Sequence, residues 1–324
     1  MVQKSYLGVM VSILIGLGLI CLFDGDKALS AGFPEKPVKV IVAFGPGAGV
    51  DAEARAIAPY LQKHLGVSVS VENVPGADGK IGITRVWKSK PDGYTLIIHT
   101  TTMSMIGEYT LNPEYRIADL SHIFSWSLTN HALMVNSEKW ESLDQFIKAG
   151  NQRPISGGMA GRGSTSDLMG RTLVDALGIK VNWVPFDGGA EALTALAGKH
   201  IDFALASTTT ALPLAKAGKL KPFMILANSR DTVFPEIPLA KELGYNFTVV
   251  PSMRGADGPP RMEEGVIKIL EEAFAKAIKE PDYLAWAQKR MLSIVPLYHE
   301  EYARAIEDQR KAVEKYKSYF KSEK

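Results

Sequence analysis

Two glycine-rich segments contain the residues whose types and spacing could bind a ligand. The first reads Phe44-Gly45-Pro46-Gly47-Ala48-Gly49-Val50-Asp51. Glycines lack a Cβ atom, so backbone N–H groups can approach a bound group closely. A helix that begins at this segment would add partial positive charge from its N-terminus. The chemistry indicated is the binding of an anion, and the alternative is an ordinary turn that needs glycines for its shape.

A second segment, residues 157–167, repeats this pattern between a predicted strand and a predicted helix. Its Arg162 could pair with a carboxylate or could face the solvent. A third glycine turn follows at residues 187–189. The recurrence of the same kind of turn favours a two-sided anion site over an isolated structural turn.

The stretch from Gly47 to Ala52 also matches a dinucleotide-binding fingerprint in its alanine-ended form. Glu72 closes the next predicted strand, at a spacing that suits a ribose hydroxyl. A dinucleotide-dependent oxidoreductase is therefore an alternative function. The export signal described below argues against it, because an exported protein rarely meets a nicotinamide cofactor, and we predict no cofactor.

No arrangement of nucleophile, acid and base is visible in the sequence. Ser164 lacks the second flanking glycine of a nucleophile elbow. The six histidines form no i, i+4 pair or metal-like cluster, and Cys21 is the only cysteine. We therefore predict no catalytic residue and no metal site, and we interpret the histidines as scattered structural residues.

Residues 1–31 have the pattern of a secretory signal peptide. Lys4 precedes an apolar stretch at residues 7–23, and small residues suited to a signal peptidase follow it. One alternative is an uncleaved anchor, because the stretch approaches the roughly 17–25 residues that span a bilayer. Another is lipidation at Cys21. We expect a cleaved signal and a periplasmic or other extracytoplasmic location.

Charge and length limit the classes of partner and the size of the core. The formal net charge is +2 over 324 residues, of which 46% are hydrophobic. Because there is no long basic or acidic block, we do not predict nucleic acid as a partner. The length suits two domains with hydrophobic cores of ordinary size.

The glycine segments must be positioned by the strands and helices around them. The periodicity predicts a strand at 38–44, a helix at 52–65 and further strands at 67–72 and 94–99. A second unit of the same kind begins near residue 131. This alternation predicts an α/β fold with a mainly parallel sheet in each unit, flanked by helices. The tail, residues 261–322, is predicted to be helical.

Several short motifs follow one another along the chain. They are Phe33-Pro34-Glu35-Lys36-Pro37-Val38, the first glycine segment with Ala54-Arg55, Glu72-Asn73-Val74-Pro75-Gly76-Ala77-Asp78-Gly79 with Ile81-Gly82, Pro91-Asp92-Gly93-Tyr94-Thr95-Leu96, Gly161-Arg162-Gly163-Ser164, and Pro185-Phe186-Asp187-Gly188-Gly189 with Ala192-Leu193. In this order, and with the export signal, they resemble the Bug family, the extracytoplasmic solute receptors of tripartite tricarboxylate transporters.

The resemblance implies a two-lobed periplasmic-binding-protein fold of the Venus-flytrap type, which closes on a small di- or tricarboxylate. One domain would comprise residues 32–131 plus 252–324 and the other residues 132–251, with a hinge near His131 and Pro251. The protein would be a monomer that delivers its ligand to membrane transport subunits. The alternative within the same fold is a receptor that presents its ligand to a sensor kinase.

The resemblance also implies that backbone amides of the two glycine segments hold one carboxylate of the ligand. The implied ligand-binding residues are Phe44, Gly45, Gly47, Ala48, Gly49, Val50, Asp51, Met159, Ala160, Gly161, Arg162, Gly163, Ser164 and Asp187. The chain departs from the family pattern at Ala48, a usual glycine, at Val50, a usual hydroxyl residue, and at Asp167, commonly a histidine. Asp187 would either favour an amine-bearing ligand or point to the solvent.

Overall fold

The computed structural model describes residues 32–47, 49–161, 163–246 and 249–320. The predicted signal peptide, with Cys21, lies outside the described residues. Ala48 and Arg162 of the predicted ligand site also lie outside them, so the contacts expected for these two residues stay predictions.

Eleven strands in the described residues form two separate sheets. The strands are β1 (Val38–Val42), β2 (Val69–Asn73), β3 (Thr95–Thr100), β4 (Ser121–Thr129), β5 (His131–Asn136), β6 (Ile155–Met159), β7 (Val181–Pro185), β8 (Phe203–Ser207), β9 (Leu220–Leu226), β10 (Ser252–Gly258) and β11 (Ser293–Leu297). The first sheet has the spatial order β11-β4-β10-β3-β1-β2, and the second has the order β7-β6-β8-β5-β9.

Ten α-helices in the same part of the chain flank these sheets. They are α1 (Gly49–Leu65), α2 (Lys80–Trp87), α3 (Thr101–Thr110), α4 (Leu143–Gln152), α5 (Thr165–Leu177), α6 (Gly189–Ala197), α7 (Thr208–Lys216), α8 (Glu264–Ala277), α9 (Pro281–Lys289) and α10 (His299–Tyr316). We call β1–β4, β10 and β11 with α1–α3 and α8–α10 the first lobe. The second lobe consists of β5–β9 and α4–α7.

Both sheets are mixed. In the first sheet β1 pairs in parallel with β2 and β3, whereas β10 runs antiparallel to β3 and β4, and β11 runs antiparallel to β4. In the second sheet β6 is parallel to β7 and β8, whereas β5 is antiparallel to β8 and β9. The parallel pairs come from the strand–turn–helix repeats. The antiparallel pairs arise chiefly where the chain leaves or re-enters a sheet.

The architecture agrees with the predicted α/β order, with mixed sheets in place of mainly parallel ones. Strands β4 and β10 and helices α3 and α7 are absent from the elements predicted by periodicity. The prediction of a helical tail is corrected, because β11 interrupts the helices between α9 and α10. Its five residues extend the first sheet by pairing with β4.

Two crossings carry the chain between the sheets. Asn130 alone joins β4 to β5, and its Nδ2 donates to Asp231 Oδ2 at 2.9 Å. At the return crossing, the Pro251 carbonyl accepts from Thr102 Oγ1 at 2.8 Å and from Gln309 Nε2 at 2.7 Å. Side-chain hydrogen bonds therefore fix the backbone at both crossings.

Within the described part of the chain, three clusters of buried apolar side chains form the core. One lies in the first lobe, between its sheet and α1, α8 and α9. Another lies in the second lobe, beside α6 and α7. The third contains residues of both lobes, among them Met105 of α3 and Met169 of α5. Because burial of such a side chain contributes about 1.5–3 kcal/mol, this shared cluster holds the two lobes in contact.

A buried polar network lies at the centre of the first sheet. Asp257 of β10 contacts His99 of β3 at 2.5 Å and His122 of β4 at 2.7 Å, and it accepts from the Tyr302 hydroxyl of α10 at 3.0 Å. His99 also contacts Ser104 Oγ at 2.8 Å. The sequence predicts scattered histidines, but two of the six converge on one carboxylate.

The sequence of contacts from Ser104 through His99 to Asp257 has the connectivity of a serine-hydrolase triad. All three residues are 0% exposed, so no substrate reaches them and their role is structural. Burial by itself raises the pKa of Asp257, but the hydrogen bonds from His122 and His99 outweigh burial and hold its pKa well below the usual range. Asp257 is therefore anionic in the folded protein at neutral pH.

We expect Asp257→Asn to lower the free energy of unfolding at pH 7 by about 3–5 kcal/mol, because the buried partners lose their carboxylate. The stability gained from the lowered pKa is fully present above the pKa of the unfolded carboxyl group, about 3.9, and is lost as the pH falls toward the folded value. The difference in the free energy of unfolding between wild type and variant therefore becomes smaller below about pH 4. Urea unfolding at several pH values measures it.

Asp308→Asn is the matched control, because Asp308 lies on the exposed side of α10. Its effect on the free energy of unfolding should stay within about 0.5 kcal/mol. The structural role of the network is contradicted if Asp257→Asn is as stable as this control at pH 7.

Candidate ligand-binding site

Several helix N-termini lie at one edge of each sheet. Helices α1 and α3 follow the parallel strands β1 and β3, and α5, α6 and α7 follow the parallel strands β6, β7 and β8. In open α/β sheets, ligands bind outside the carboxyl ends of the strands. The first N–H groups of each helix lack intrahelical partners and carry partial positive charge, so this edge favours an anion.

The second glycine loop lies against the first lobe. A Cβ atom at Gly163 would stand 3.5 Å from Ile106 Cγ2 and 3.9 Å from Thr110 Cγ2, both on α3. Near the other end of α5, the Tyr316 hydroxyl of α10 donates to Asp175 at 2.9 Å. The loop of the second lobe therefore adjoins a helix that begins at the binding edge of the first sheet.

Asp51 fixes the first glycine loop. Its Oδ2 accepts the Gly47 N–H at 2.9 Å, and its Oδ1 accepts from Arg55 Nε at 2.9 Å and from Asn73 Nδ2 at 2.8 Å. Asn73 Nδ2 also donates to the Phe44 carbonyl at 3.0 Å. One carboxylate thus joins the loop, α1 and β2 in a single arrangement.

These contacts keep Asp51 charged. Burial by itself raises its pKa, but hydrogen bonds from Gly47 and Asn73 and the charge of Arg55 more than offset burial, so the pKa lies below the ordinary value. Gly47 has a φ of 85°, a region that side chains disfavour, and the carboxylate holds it there. The carboxylate of Asp51 is therefore engaged in shaping the loop.

Asp167 fixes the second glycine loop in the same way. Its Oδ2 accepts the Gly163 N–H at 2.9 Å, and its Oδ1 accepts from Arg171 Nε at 2.7 Å. Gly163 has a φ of 75°. In both loops the aspartate stands four residues after the glycine, and the arginine stands four residues after the aspartate. Asp167, which departs from the Bug pattern, thus gives the second loop the same glycine–aspartate–arginine contacts as the first.

Other loop amides are also bonded within the protein. The Ala160 N–H donates to Ser166 Oγ at 3.0 Å, and the Gly161 N–H donates to the Met159 carbonyl at 3.0 Å. The N–H groups of the first turn of α1, from Gly49 onward, have no intrahelical partner. The loop glycines therefore shape the backbone, and the first turn of α1 offers N–H groups without intrahelical partners, whereas at α5 the Asp167 N–H donates to Ser164 Oγ at 3.1 Å.

The predicted side chains differ in exposure. Val50 and Met159 are buried, Val50 within the core of the first lobe, so their side chains are shielded from a ligand. Asp187 is exposed, and its N–H donates to Glu191 Oε2 at 3.0 Å. Helix α6, which begins just after this turn, has no side-chain N-cap. The ligand contacts expected for these residues stay predictions.

A charged cluster at the first turn of α1 is absent from the site predicted by sequence. Arg254 Nε donates to Glu53 Oε1 at 3.1 Å, and Arg254 Nη1 donates to Thr100 Oγ1 at 2.7 Å. The Ser127 hydroxyl donates to Glu53 Oε2 at 2.6 Å. Arg254 Nη2 lies 3.7 Å from the place where a Cβ atom of Gly49 would stand.

One signal in the sequence points to this cluster. Glu53 lies on the face of α1 that carries the buried residues Val50, Ala54 and Ile57. A carboxylate on an apolar face needs a partner supplied by the fold. The identity of that partner is not visible locally, because Arg254 is 201 residues away.

Glu72 does not fit the ribose-binding role of a dinucleotide site. Arg85 Nη1 donates to its carboxylate at 2.5 Å, and Lys39 pairs with it at 3.1 Å. These hydrogen bonds, that from Arg85 first, hold the pKa of Glu72 below its usual range. Its carboxylate is occupied by two cations on the protein surface.

An open cavity of about 550 Å³ lies between the lobes. Leu212 and Val233 of the second lobe line one side, and Leu284, Met291 and Ile294 of the first lobe line the other. None of the described residues of the two glycine loops, 44–47, 49–51, 157–161 and 163–167, contributes to its lining. The lobes therefore face each other across open, largely apolar space on this side, separate from the polar loop region.

Across residues 32–47, 49–161, 163–246 and 249–320, no group of three or more His, Cys, Asp or Glu side chains is arranged to hold a metal ion. Over the same residues, no helix combines the length and the apolar character that crossing a membrane requires.

Comparison with known proteins extends these observations. The model of the tripartite tricarboxylate transporter family receptor matches residues 53–318. A UPF0065 protein of Agrobacterium vitis is 31% identical over 256 residues, which are 77% of this chain and 73% of that protein. The protein BugT of Bordetella pertussis is 28% identical over 253 residues, 76% of this chain and 78% of BugT.

Solved structures share the fold. A TctC solute-binding protein from Polaromonas has a TM-score of 0.80 at 26% identity, with 87% of this chain and 99% of that chain covered. MatC from Rhodopseudomonas palustris, with bound malate, has a TM-score of 0.64 at 25% identity, with 89% and 100% covered. These matches confirm the predicted two-lobed periplasmic-binding-protein fold and the resemblance carried by the motifs. The chain belongs to the tripartite tricarboxylate transporter receptor family.

Proposed function

We propose that this chain is a receptor, without catalytic activity, that binds a small organic di- or tricarboxylate between its lobes and delivers it to a membrane transporter. The observation that carries the proposal is the matched pair of loops in which Asp51 holds Gly47 and Asp167 holds Gly163. Membership of a receptor family supports binding as the activity. The relative with bound malate supports a carboxylate as the ligand.

In this proposal the ligand carboxylate accepts hydrogen bonds from the N-terminal turns of α1 and α5. Their N–H groups are already oriented by the helices, so capture requires little ordering of side chains. The proposed contact set comprises residues 44, 45 and 47–51 of the first loop, residues 159–164 of the second loop and Asp187. Capture of this kind requires no metal or cofactor.

The proposed domains are residues 32–131 plus 252–324 and residues 132–251, and they close on the ligand by a hinge motion. The first crossing has a single residue between strands, Asn130, so rotation at this crossing would be confined to its backbone. At the second crossing, Thr102 and Gln309 hold Pro251 to the first lobe. Rotation would therefore concentrate at Asn130 and just before Pro251.

The proposed place of action is outside the cytoplasm, after removal of a signal peptide at residues 1–31. The receptor would act as a monomer, with membrane transport subunits as its partners. The match to a family of transporter receptors supports delivery of the ligand to these subunits.

A panel of succinate, malate and citrate tests the proposed function. A ligand present at 100 times its Kd stabilises the folded state by about 2.7 kcal/mol, so at least one of these acids should raise the midpoint of thermal unfolding by ~5–10 °C. Differential scanning fluorimetry of extensively dialysed protein measures the midpoint.

The corresponding neutral amides, at the same concentration and ionic strength, are the controls, because they keep the size of the acids but lack the charge. The proposal fails if no acid shifts the midpoint at millimolar concentration, or if the amides shift it as much as the acids do.

Substitution of the loop glycines tests the location of the site. Gly47→Val and Gly163→Val should each weaken binding of the most stabilising acid by about 10-fold or more, since holding a branched residue at positive φ costs about 1–3 kcal/mol and the loop must change shape. Isothermal titration calorimetry gives the affinity, and circular dichroism checks that the variants fold.

Gly66→Val is the matched control. Gly66 has a φ of 72° and open space around it, and it follows the other end of α1. This variant should lose stability but keep wild-type affinity. If both loop variants also bind like wild type, the ligand site lies elsewhere.

A further inference from the structure

The first lobe holds the guanidinium of Arg254 in one orientation. Glu53 of α1 and Thr100 of β3 accept from its Nε and Nη1, and Ser127 of β4 donates to the same Glu53 carboxylate. The side chains of Arg254 and Glu53 are only 17% and 5% exposed. Three elements therefore orient a cation that a fourth, β10, supplies.

The ion pair of Arg254 and Glu53 is by itself weak evidence of a gain in stability. A buried ion pair carries a desolvation penalty that its own attraction often fails to offset, and apolar residues of similar volume can replace such pairs without loss of stability. Glu53 stands between the buried residues Val50 and Ile57, where an apolar side chain would meet no such penalty. Stability alone therefore does not account for the pair.

One nitrogen of Arg254 is left to donate. Nη2 has no hydrogen-bond partner among residues 32–47, 49–161, 163–246 and 249–320, whereas Nε and Nη1 are both engaged. Nη2 lies beside Gly49, the first residue of α1. Arg254 is paired with Thr100 at the carboxyl end of β3, so its position is at the binding edge of the first sheet.

We propose that Arg254 is the side-chain cation of the ligand site and that its Nη2 donates to the carboxylate held at the first turn of α1. Glu53, Thr100 and Ser127 act as positioning residues, which orient the guanidinium before the ligand arrives. The inference rests on the proposed function and adds to it a residue that determines specificity for an anionic group.

The guanidinium group of Arg254 would favour a carboxylate over a neutral group of the ligand. Hydrogen bonds from guanidinium to carboxylate are charge-assisted and directional, and a lysine cannot reproduce the planar set of donors. Because Glu53 offsets the positive charge of Arg254, the oriented donor at Nη2, more than net charge, favours a ligand carboxylate. A neutral amide in place of the ligand carboxylate would offer Nη2 only an uncharged carbonyl oxygen, so it would bind more weakly.

Arg254→Met and Arg254→Lys test the proposal in the full mature chain, by calorimetric titration with succinate, malate and citrate. For each acid that binds the wild type, Arg254→Met should weaken affinity by about 10–100-fold, and Arg254→Lys should bind with intermediate affinity. Arg85→Met is the matched control, because it removes an arginine from a surface pair of the same lobe, and it should bind like wild type.

The double variant Arg254→Met with Glu53→Leu separates direct contact from indirect effects, since it leaves no unpaired buried carboxylate. The proposal requires this folded double variant to bind as weakly as Arg254→Met. Recovery of wild-type affinity in the double variant, or unchanged affinity in Arg254→Met, would overturn the role of Arg254 and leave the proposed function standing. Failure of the wild type to bind any of the three acids would overturn both.

Discussion

The hydrogen bond from a loop glycine to an aspartate in the first turn of the next helix is the interaction on which the binding region depends. Glycine makes the turn sterically possible but leaves it free to adopt other shapes. Asp51 and Asp167 remove that freedom by accepting the N–H groups of Gly47 and Gly163. An arginine one turn further along each helix neutralises the carboxylate. The loops are thus rigid, although their glycines carry no side chain that would cover the helix ends.

Strand β10 supplies two further charged side chains to the interior of the first lobe. Arg254 lies toward α1 and Asp257 contacts α10 through Tyr302, so one strand contributes a polar group to each side of the sheet. Gly255, which lies between them, has to be a glycine, because an added Cβ atom would overlap the Tyr302 hydroxyl. The pairing register with β4 shifts on both sides of this stretch. The strand that closes the return crossing therefore also organises the polar interior of the lobe.

An element of the fold could be predicted from the sequence when it depends on neighbouring residues, and could not when it depends on residues far away in the chain. The glycine loops are predictable because a strand, a turn and a helix start follow within a few residues. Strand β10 is not, because Ser252–Gly258 contains two glycines and two charged residues and has little alternation. It becomes a strand because β3 and β4 pair with it on both sides. Tertiary pairing outweighs local propensity in such a central strand.

Local pattern alone was sufficient for the α/β alternation, the two glycine loops and the order of motifs that resembles the family. These features depend on backbone freedom, helix starts and side-chain periodicity, all of which are set by neighbouring residues. Only the folded chain decided the partners of its buried charges. Glu53 meets Arg254 across 201 residues, and Asp257 meets His99 across 158. Such partners are chosen by which strands lie side by side, and the shielding of buried charges from water makes that choice necessary.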